Sequence, residues 1–307
     1  MRVLVVGAGG VGGYFGARLA RAGTDVTFLA RGAHLEAIRR DGLRVRSAVD
    51  GEWTVQADAT SDLRDRPPAD AVLFCVKSFD TETAAARIRP ALGPDTAVVS
   101  LQNGVDNEET LDRVLGGGHA VGGVAYVFAA IESPGVVSHR LAGRVVVGEL
   151  DGRASPRLQR LREAFTAAGV PAEIAPDIRR VLWEKYLMIT AQAGLTALTR
   201  APIGVVRAVP ETWRMYRLLT EELAALAKAE GVRLAADVVD GVVKLAVGLA
   251  PEALSSMYHD LVQGRRLELE ALHGRALRAG QRLGVPTPTV FAVYAALKPH
   301  ADGRAAG

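Results

Sequence analysis

Cysteine is almost absent: Cys75 is the only one in 307 residues. No internal disulfide can form, which excludes a disulfide-stapled fold and makes the cytoplasm, a reducing compartment, the expected setting. Cys75 lies in the apolar run 71–76 and reads as a buried strand residue rather than a nucleophile. Long apolar runs are also missing, so no segment is expected to span a bilayer or to bind a membrane. The N-terminal apolar stretch is interrupted by glycines and closed by Arg18 and Arg21, unlike a signal peptide. Basic blocks are absent as well. The net charge is only +3 and the arginines are spread out, so nucleic-acid binding has no support. The composition, 49% hydrophobic and 23% charged, is that of an ordinary soluble protein long enough for two domains.

What is present begins at the N-terminus. Residues 2–6 form an unbroken, valine-rich run that suits a strand buried on both faces of a parallel sheet. Gly7, Gly9 and Gly12 follow as G-x-G-x-x-G, at the junction with a helical pattern over 11–21. Each glycine has an expected role, with a tight turn at Gly7, close backbone approach to a pyrophosphate at Gly9, and close helix-to-strand packing at Gly12. The turn from Gly7 through Ala8, Gly9, Gly10 and Val11 to Gly12 is therefore the expected cofactor cradle, with helix N-terminal amides aimed at the phosphates. A second strand, 26–29, ends without the acidic residue that grips a ribose 2′-hydroxyl in NAD sites. Arg31 stands there instead. A guanidinium matches a 2′-phosphate, which favours NADP (NADPH); the plain alternative is a solvated loop charge.

Strands and helices then alternate through a hairpin at 43–56, strands at 69–76, 98–101, 120–128, 135–139 and 144–150, and a helix at 155–168. This predicts an α/β fold, a Rossmann-type doubly wound sheet, over residues 1–176. From Asp177 onward the pattern is helical only: 178–198, 210–230, 236–249, 251–263, 267–283 and 289–297. Residues 177–307 are expected to form an all-α C-terminal domain. Ligands of open α/β sheets bind beyond the carboxyl ends of the strands, so Lys77 and Asn103, each just after a strand, are candidates for cofactor or substrate contact. Asn103-Gly104 reads equally well as a simple turn.

Only five of the 37 basic residues are lysines: Lys77, Lys185, Lys228, Lys244 and Lys298. Arginine holds its proton permanently, whereas lysine can give one up and regain it. Lys228, Lys244 and Lys298 read as solvated helix faces. Lys185 sits in the mostly apolar helix V-L-W-E-K-Y-L-M-I at the start of the second half. There it is aimed either at a cleft or at an interdomain salt bridge.

Taken together, the glycine turn with Arg31, Lys77, L-Q-N-G at 101–104, W-E-K at 183–185, L-T-A at 195–197, S-S-M at 255–257 and R-L-E at 266–268 resemble the ketopantoate reductases (2-dehydropantoate 2-reductases) over almost the whole chain. The resemblance implies NADPH-dependent reduction of a 2-oxo acid, ketopantoate, to a 2-hydroxy acid in pantothenate biosynthesis, by a monomer or homodimer without a catalytic metal. It implies that Lys185 protonates the developing alkoxide, that Glu268 lies near this lysine and the cofactor, and that Asn103 and Ser256 orient substrate, Asn103 also touching cofactor. Gly264 permits a break between Ser256 and Glu268, so both can face one cleft. Glu270 is the rival to Glu268, and a charged helix face would account for both.

The chain departs from the family's pattern at Ile189 and Ala193, where asparagines are usual, at Gly194, where proline is common, and at His273, where asparagine is common. These departures leave open a related reductase of another 2-oxo acid or ketone. A non-catalytic NADP(H)-binding sensor is the reading from another class, and retention of Lys185 and Glu268 argues against it.

Overall fold

A computed structural model describes residues 1–64 and 66–303. The chain divides into two compact units: residues 1–102 with 106–181, and residues 103–105 with 182–307. The sequence places the domain boundary near residue 176, and contacts divide the chain after Val181, within the helix that begins at Ile178.

The first unit opens with β1 (Arg2–Val6), α1 (Gly10–Arg21), β2 (Asp25–Leu29) and α2 (Gly32–Asp41). A hairpin of β3 (Leu43–Ser47) and β4 (Gly51–Val55) follows, then β5 (Asp58–Thr60), β6 (Ala69–Phe74), α3 (Thr81–Ile88), β7 (Leu92–Ser100) and α4 (Asn107–Leu115). The unit ends with β8 (Ala120–Ser133), β9 (Val136–Gly148), α5 (Pro156–Ala167) and β10 (Ala172–Ile174).

All ten strands join one sheet, in the order β4-β3-β9-β8-β7-β6-β1-β2-β5, with β10 beside β9. β1 pairs in parallel with both β2 and β6, which puts the glycine turn in the middle of the parallel part. Alternation along β1 explains why both faces are buried: Val3 and Val5 join a core with Phe15, Phe28 and Phe165, while Leu4 and Val6 join another with Phe74, Ile88 and Leu111. Helices cover both faces, as a doubly wound sheet requires. The two strands expected at 135–139 and 144–150 are a single strand, β9. Gly143, at φ +134°, bends it where the pairing with β8 shifts register, and the strand continues.

The second unit is helical: α6 (Ile178–Thr199), α7 (Ile203–Ala208), α8 (Pro210–Ala229), α9 (Val238–Val247), α10 (Ser256–Val262), α11 (Arg275–Leu283) and α12 (Pro288–Leu297). Two expected helices start later than their patterns suggest. α10 begins at Ser256, not at 251, because the Ser255 hydroxyl caps it by accepting from the Tyr258 N–H at 3.1 Å. The helix expected from 267 begins near Glu270, since Gly264 turns the chain at φ +66° and the Leu267 N–H is engaged by the Ala301 carbonyl. No helix among the described residues is long and apolar enough to cross a membrane.

Candidate active site

The three glycines of the turn behave differently. Gly7 has φ +93°, and a Cβ there would lie 3.0 Å from the backbone of Cys75 and Val76, so both conformation and space demand glycine. A Cβ on Gly12 would strike the Gly7 carbonyl oxygen and crowd Val5 at 2.9 Å, which is the close helix-to-strand approach expected of it. A Cβ on Gly9 would meet no heavy atom within 4 Å. Packing does not require glycine there; open space beside bare backbone is what a pyrophosphate cradle needs. Gly10 has a role that the motif did not announce. Its missing Cβ makes room for the Ala129 carbonyl of β8. Ala8 is buried and Val11 is half-buried against the same core.

Arg31 caps the start of α2 just beyond β2, with 85% of its side chain exposed. Its guanidinium stands 3.7 Å from the Asp80 carboxylate, an exposed ion pair. Lys77 follows β6 and precedes the turn that contains Asp80. Its loop is held from below by Gln102, whose buried amide donates to the Val76 carbonyl and to the Thr81 hydroxyl, both at 2.9 Å. The end of β7 is thereby tied to the end of β6. Asn103–Val105 group with the second unit, and Gly104 turns the backbone at φ +117°.

In the second unit Lys185 lies on α6, mostly buried, beside the fully buried Tyr186 and near Trp183. Loss of solvation pushes its ammonium down to about 8, and the negative charge of Glu268 opposes that fall. Residues distant in sequence are thus brought within electrostatic reach. The Tyr186 hydroxyl donates to the Leu272 carbonyl, fastening α6 to the segment that follows Glu268. That segment is a π-turn, in which the Gly274 N–H donates to the Leu269 carbonyl at 2.9 Å; such bulges recur at functional sites.

Glu268 is buried, whereas Glu270 faces outward. Glu270 is committed to Arg278, Tyr294 and Lys298, and chiefly these hydrogen bonds hold its carboxyl at about 2 against the cost of desolvation. The two glutamates thus differ in burial and in partners. Ser256 is the first, exposed residue of α10, and the neighbouring Ser255 accepts a hydrogen bond from Thr196 of α6 at 2.7 Å.

Ile189 and Ala193 follow Lys185 on α6 at helical spacing, half-buried and buried respectively. Gly194 and His273 prove to be coupled. A Cβ on Gly194 would strike His273 Nε2, so the large ring fits only because the facing residue is glycine. Burial pushes this imidazole down to about 4, keeping it neutral.

In the sequence Glu108 looks like an ordinary first-turn acid of α4. It is 4% exposed, and burial raises its carboxyl to about 8. A shallow cavity of about 200 Å³ beside Ser61, Arg64 and Arg87 holds none of these residues. Among the described residues, no cluster of three His, Cys, Asp or Glu side chains is placed to hold a metal ion.

Sequence comparison matches residues 3–152 to the family described as ketopantoate reductase PanE/ApbA, and residues 177–301 to its C-terminal counterpart. A 2-dehydropantoate 2-reductase of Archaeoglobus fulgidus is 35% identical, with 92% of each chain covered. One from Mesorhizobium japonicum is 32% identical, with 97% of each covered. Among solved structures, a PanE/ApbA family ketopantoate reductase from Ralstonia eutropha superposes with a TM-score of 0.91 at 37% identity, covering 98% of both chains.

Proposed function

The chain belongs to the ketopantoate reductase family, an oxidoreductase family, and from that premise we propose that it reduces ketopantoate to pantoate with NADPH. The observation that carries the proposal is the pairing of Lys185, shifted to about 8, with buried Glu268. A lysine poised near neutrality is matched to proton donation at physiological pH, and arginine in its place would not be.

NADPH, when bound, supplies the hydride. Gly7, Ala8, Gly9, Gly10, Val11 and Gly12 would hold its pyrophosphate, with Arg31 at the 2′-phosphate and Lys77, Asn103 and Glu268 as further contacts. The Lys185 ammonium is assigned to the ketone oxygen. There it stabilises charge that develops only in the transition state and then transfers its proton to that oxygen. Glu268 keeps the lysine protonated by opposing the effect of burial. Asn103 and Ser256 are assigned to orienting the substrate. Residues 1–176 are taken as the cofactor domain and 177–307 as the helical domain. The cytoplasm is the proposed setting and a monomer or homodimer the proposed assembly.

Ile189 and Ala193 favour a second reading within the same chemistry. Hydrocarbon on the Lys185 face of α6 offers no hydrogen bond to a substrate hydroxyl, and a more apolar 2-oxo acid would lose less there. Purified protein is assayed for NADPH consumption with ketopantoate and with a panel of 2-oxo acids. Ketopantoate as best substrate supports the first reading, and a bulkier apolar 2-oxo acid supports the second. NADPH binding without turnover of any of them would identify a sensor.

A further inference from the structure

His34 is engaged on both ring nitrogens. Nδ1 lies 3.0 Å from the backbone nitrogen of Gly135, in the turn between β8 and β9. Nε2 lies 2.7 Å from the carbonyl oxygen of Ala8, inside the glycine turn. A backbone N–H can only donate, so Nδ1 must accept. The proton of the neutral ring is therefore on Nε2, and Nε2 donates to Ala8. Burial moves the imidazole below its ordinary value against the pull of the Ala8 carbonyl, in keeping with the neutral form.

The Ala8–Gly9 peptide is planar and trans, so fixing its carbonyl toward His34 turns the Gly9 N–H the opposite way. Gly9 is the residue whose absent Cβ faces open space. The turn is braced elsewhere by backbone packing, as Gly10 rests against Ala129, whereas the His34 bond brings a side chain to the Ala8 carbonyl itself. His34 also lies one helical turn beyond Arg31 on α2.

We infer that His34 is a positioning residue for the cofactor. By holding the Ala8 carbonyl it presets the Ala8–Gly9 peptide so that its N–H faces the pyrophosphate. The inference rests on the reading of the glycine turn as a nucleotide cradle. It assigns His34 no contact with substrate or cofactor.

Two near-isosteric variants separate the two bonds. In His34→Asn the amide oxygen stands near the position of Nδ1 and can accept from Gly135, while the donor to Ala8 is lost. In His34→Gln the amide nitrogen reaches the position of Nε2 and restores that donor. NADPH dissociation constants are measured by nucleotide fluorescence on the full chain, with melting temperatures alongside and 2′-AMP, which has no pyrophosphate, as the control ligand. His34→Asn should weaken NADPH about tenfold, the scale of one well-placed hydrogen bond, with 2′-AMP unchanged. His34→Gln should return NADPH to within about threefold of the parent.

Equal weakening in both variants, or a loss that follows melting temperature and extends to 2′-AMP, overturns the inference in favour of a purely structural role. If His34→Asn does not fold, the comparison of His34→Gln with His34→Leu decides by the same criteria. A parent protein that binds neither NADPH nor NADH overturns the cradle reading itself, and the inference falls with it.

Discussion

With Lys185 as the proposed general acid, the electrostatic balance around it predicts a pH profile. Its ammonium is held at about 8 where an ordinary lysine lies at 10.5, burial driving it down and Glu268 holding it up. A general acid works only while protonated, so kcat/KM with a 2-oxo acid should be level below pH 8 and fall about tenfold for each unit above it. At pH 10 the parent should retain on the order of 1% of its plateau. Glu268→Gln removes the charge that opposes burial. The alkaline limb should then move to lower pH, leaving a smaller protonated fraction at neutrality.

Lys185→Ala should lower the plateau by about 100-fold or more and abolish the limb, and Lys185→Arg should not rescue it. The assay is steady-state NADPH oxidation across pH 6 to 10, with NADPH binding measured separately at each end. A parent profile flat through pH 10, or an alkaline limb that Glu268→Gln leaves in place, would refute the reasoning.

Further outcomes follow from other parts of the molecule. Gly12→Ala forces a methyl against the Gly7 carbonyl and Val5 and should cost roughly 1–3 kcal/mol in urea unfolding. An unchanged midpoint would contradict the packing argument. Arg31→Ala should raise the dissociation constant for NADPH while leaving that for NADH nearly alone. Asp80→Asn should tighten NADPH by no more than about fivefold, because the ion pair it removes is exposed. Equal use of both nucleotides by the parent would exclude a 2′-phosphate role for Arg31. Asparagine at both 189 and 193 should improve ketopantoate relative to an apolar 2-oxo acid, by roughly 1 kcal/mol for each bond regained. No change in the ratio of specificity constants would show that these positions do not reach the substrate.

Local chemistry determined what the sequence revealed. The β1–turn–α1 junction was legible because Gly7 and Gly12 answer to contacts within a few residues or to the strand beside β1, whereas Gly10 answers to Ala129 on the more distant β8. The hairpin of β3 and β4 announced itself through Asp50-Gly51, and the long helices through their capping prolines and glycines. β5 and β10, at three residues each, are too short to show a period, and they are strands only because β2 and β9 offer an edge.

Within the candidate site, the scarcity of lysine singled out Lys185, and the family resemblance pointed to Glu268. Glu268 is buried just ahead of the π-turn, and Glu270 is drawn outward by the Tyr294, Arg278 and Lys298 side chains that claim it. None of that is written in the spacing of the two glutamates. The environments of Glu108 and His34 are not legible in the sequence for the same reason. Each looks like an ordinary polar helix residue until distant strands and turns are folded against it.

The most direct measurement is a single-turnover reaction with NADPH deuterated at the transferring carbon and ketopantoate as acceptor. Deuterium is expected at carbon 2 of the 2-hydroxy acid product, with no such product from Lys185→Ala on the same timescale although that variant still binds NADPH. Label found in water or retained on the nucleotide, with ketopantoate and the apolar 2-oxo acids alike unreduced, would contradict hydride transfer completed by a Lys185 proton.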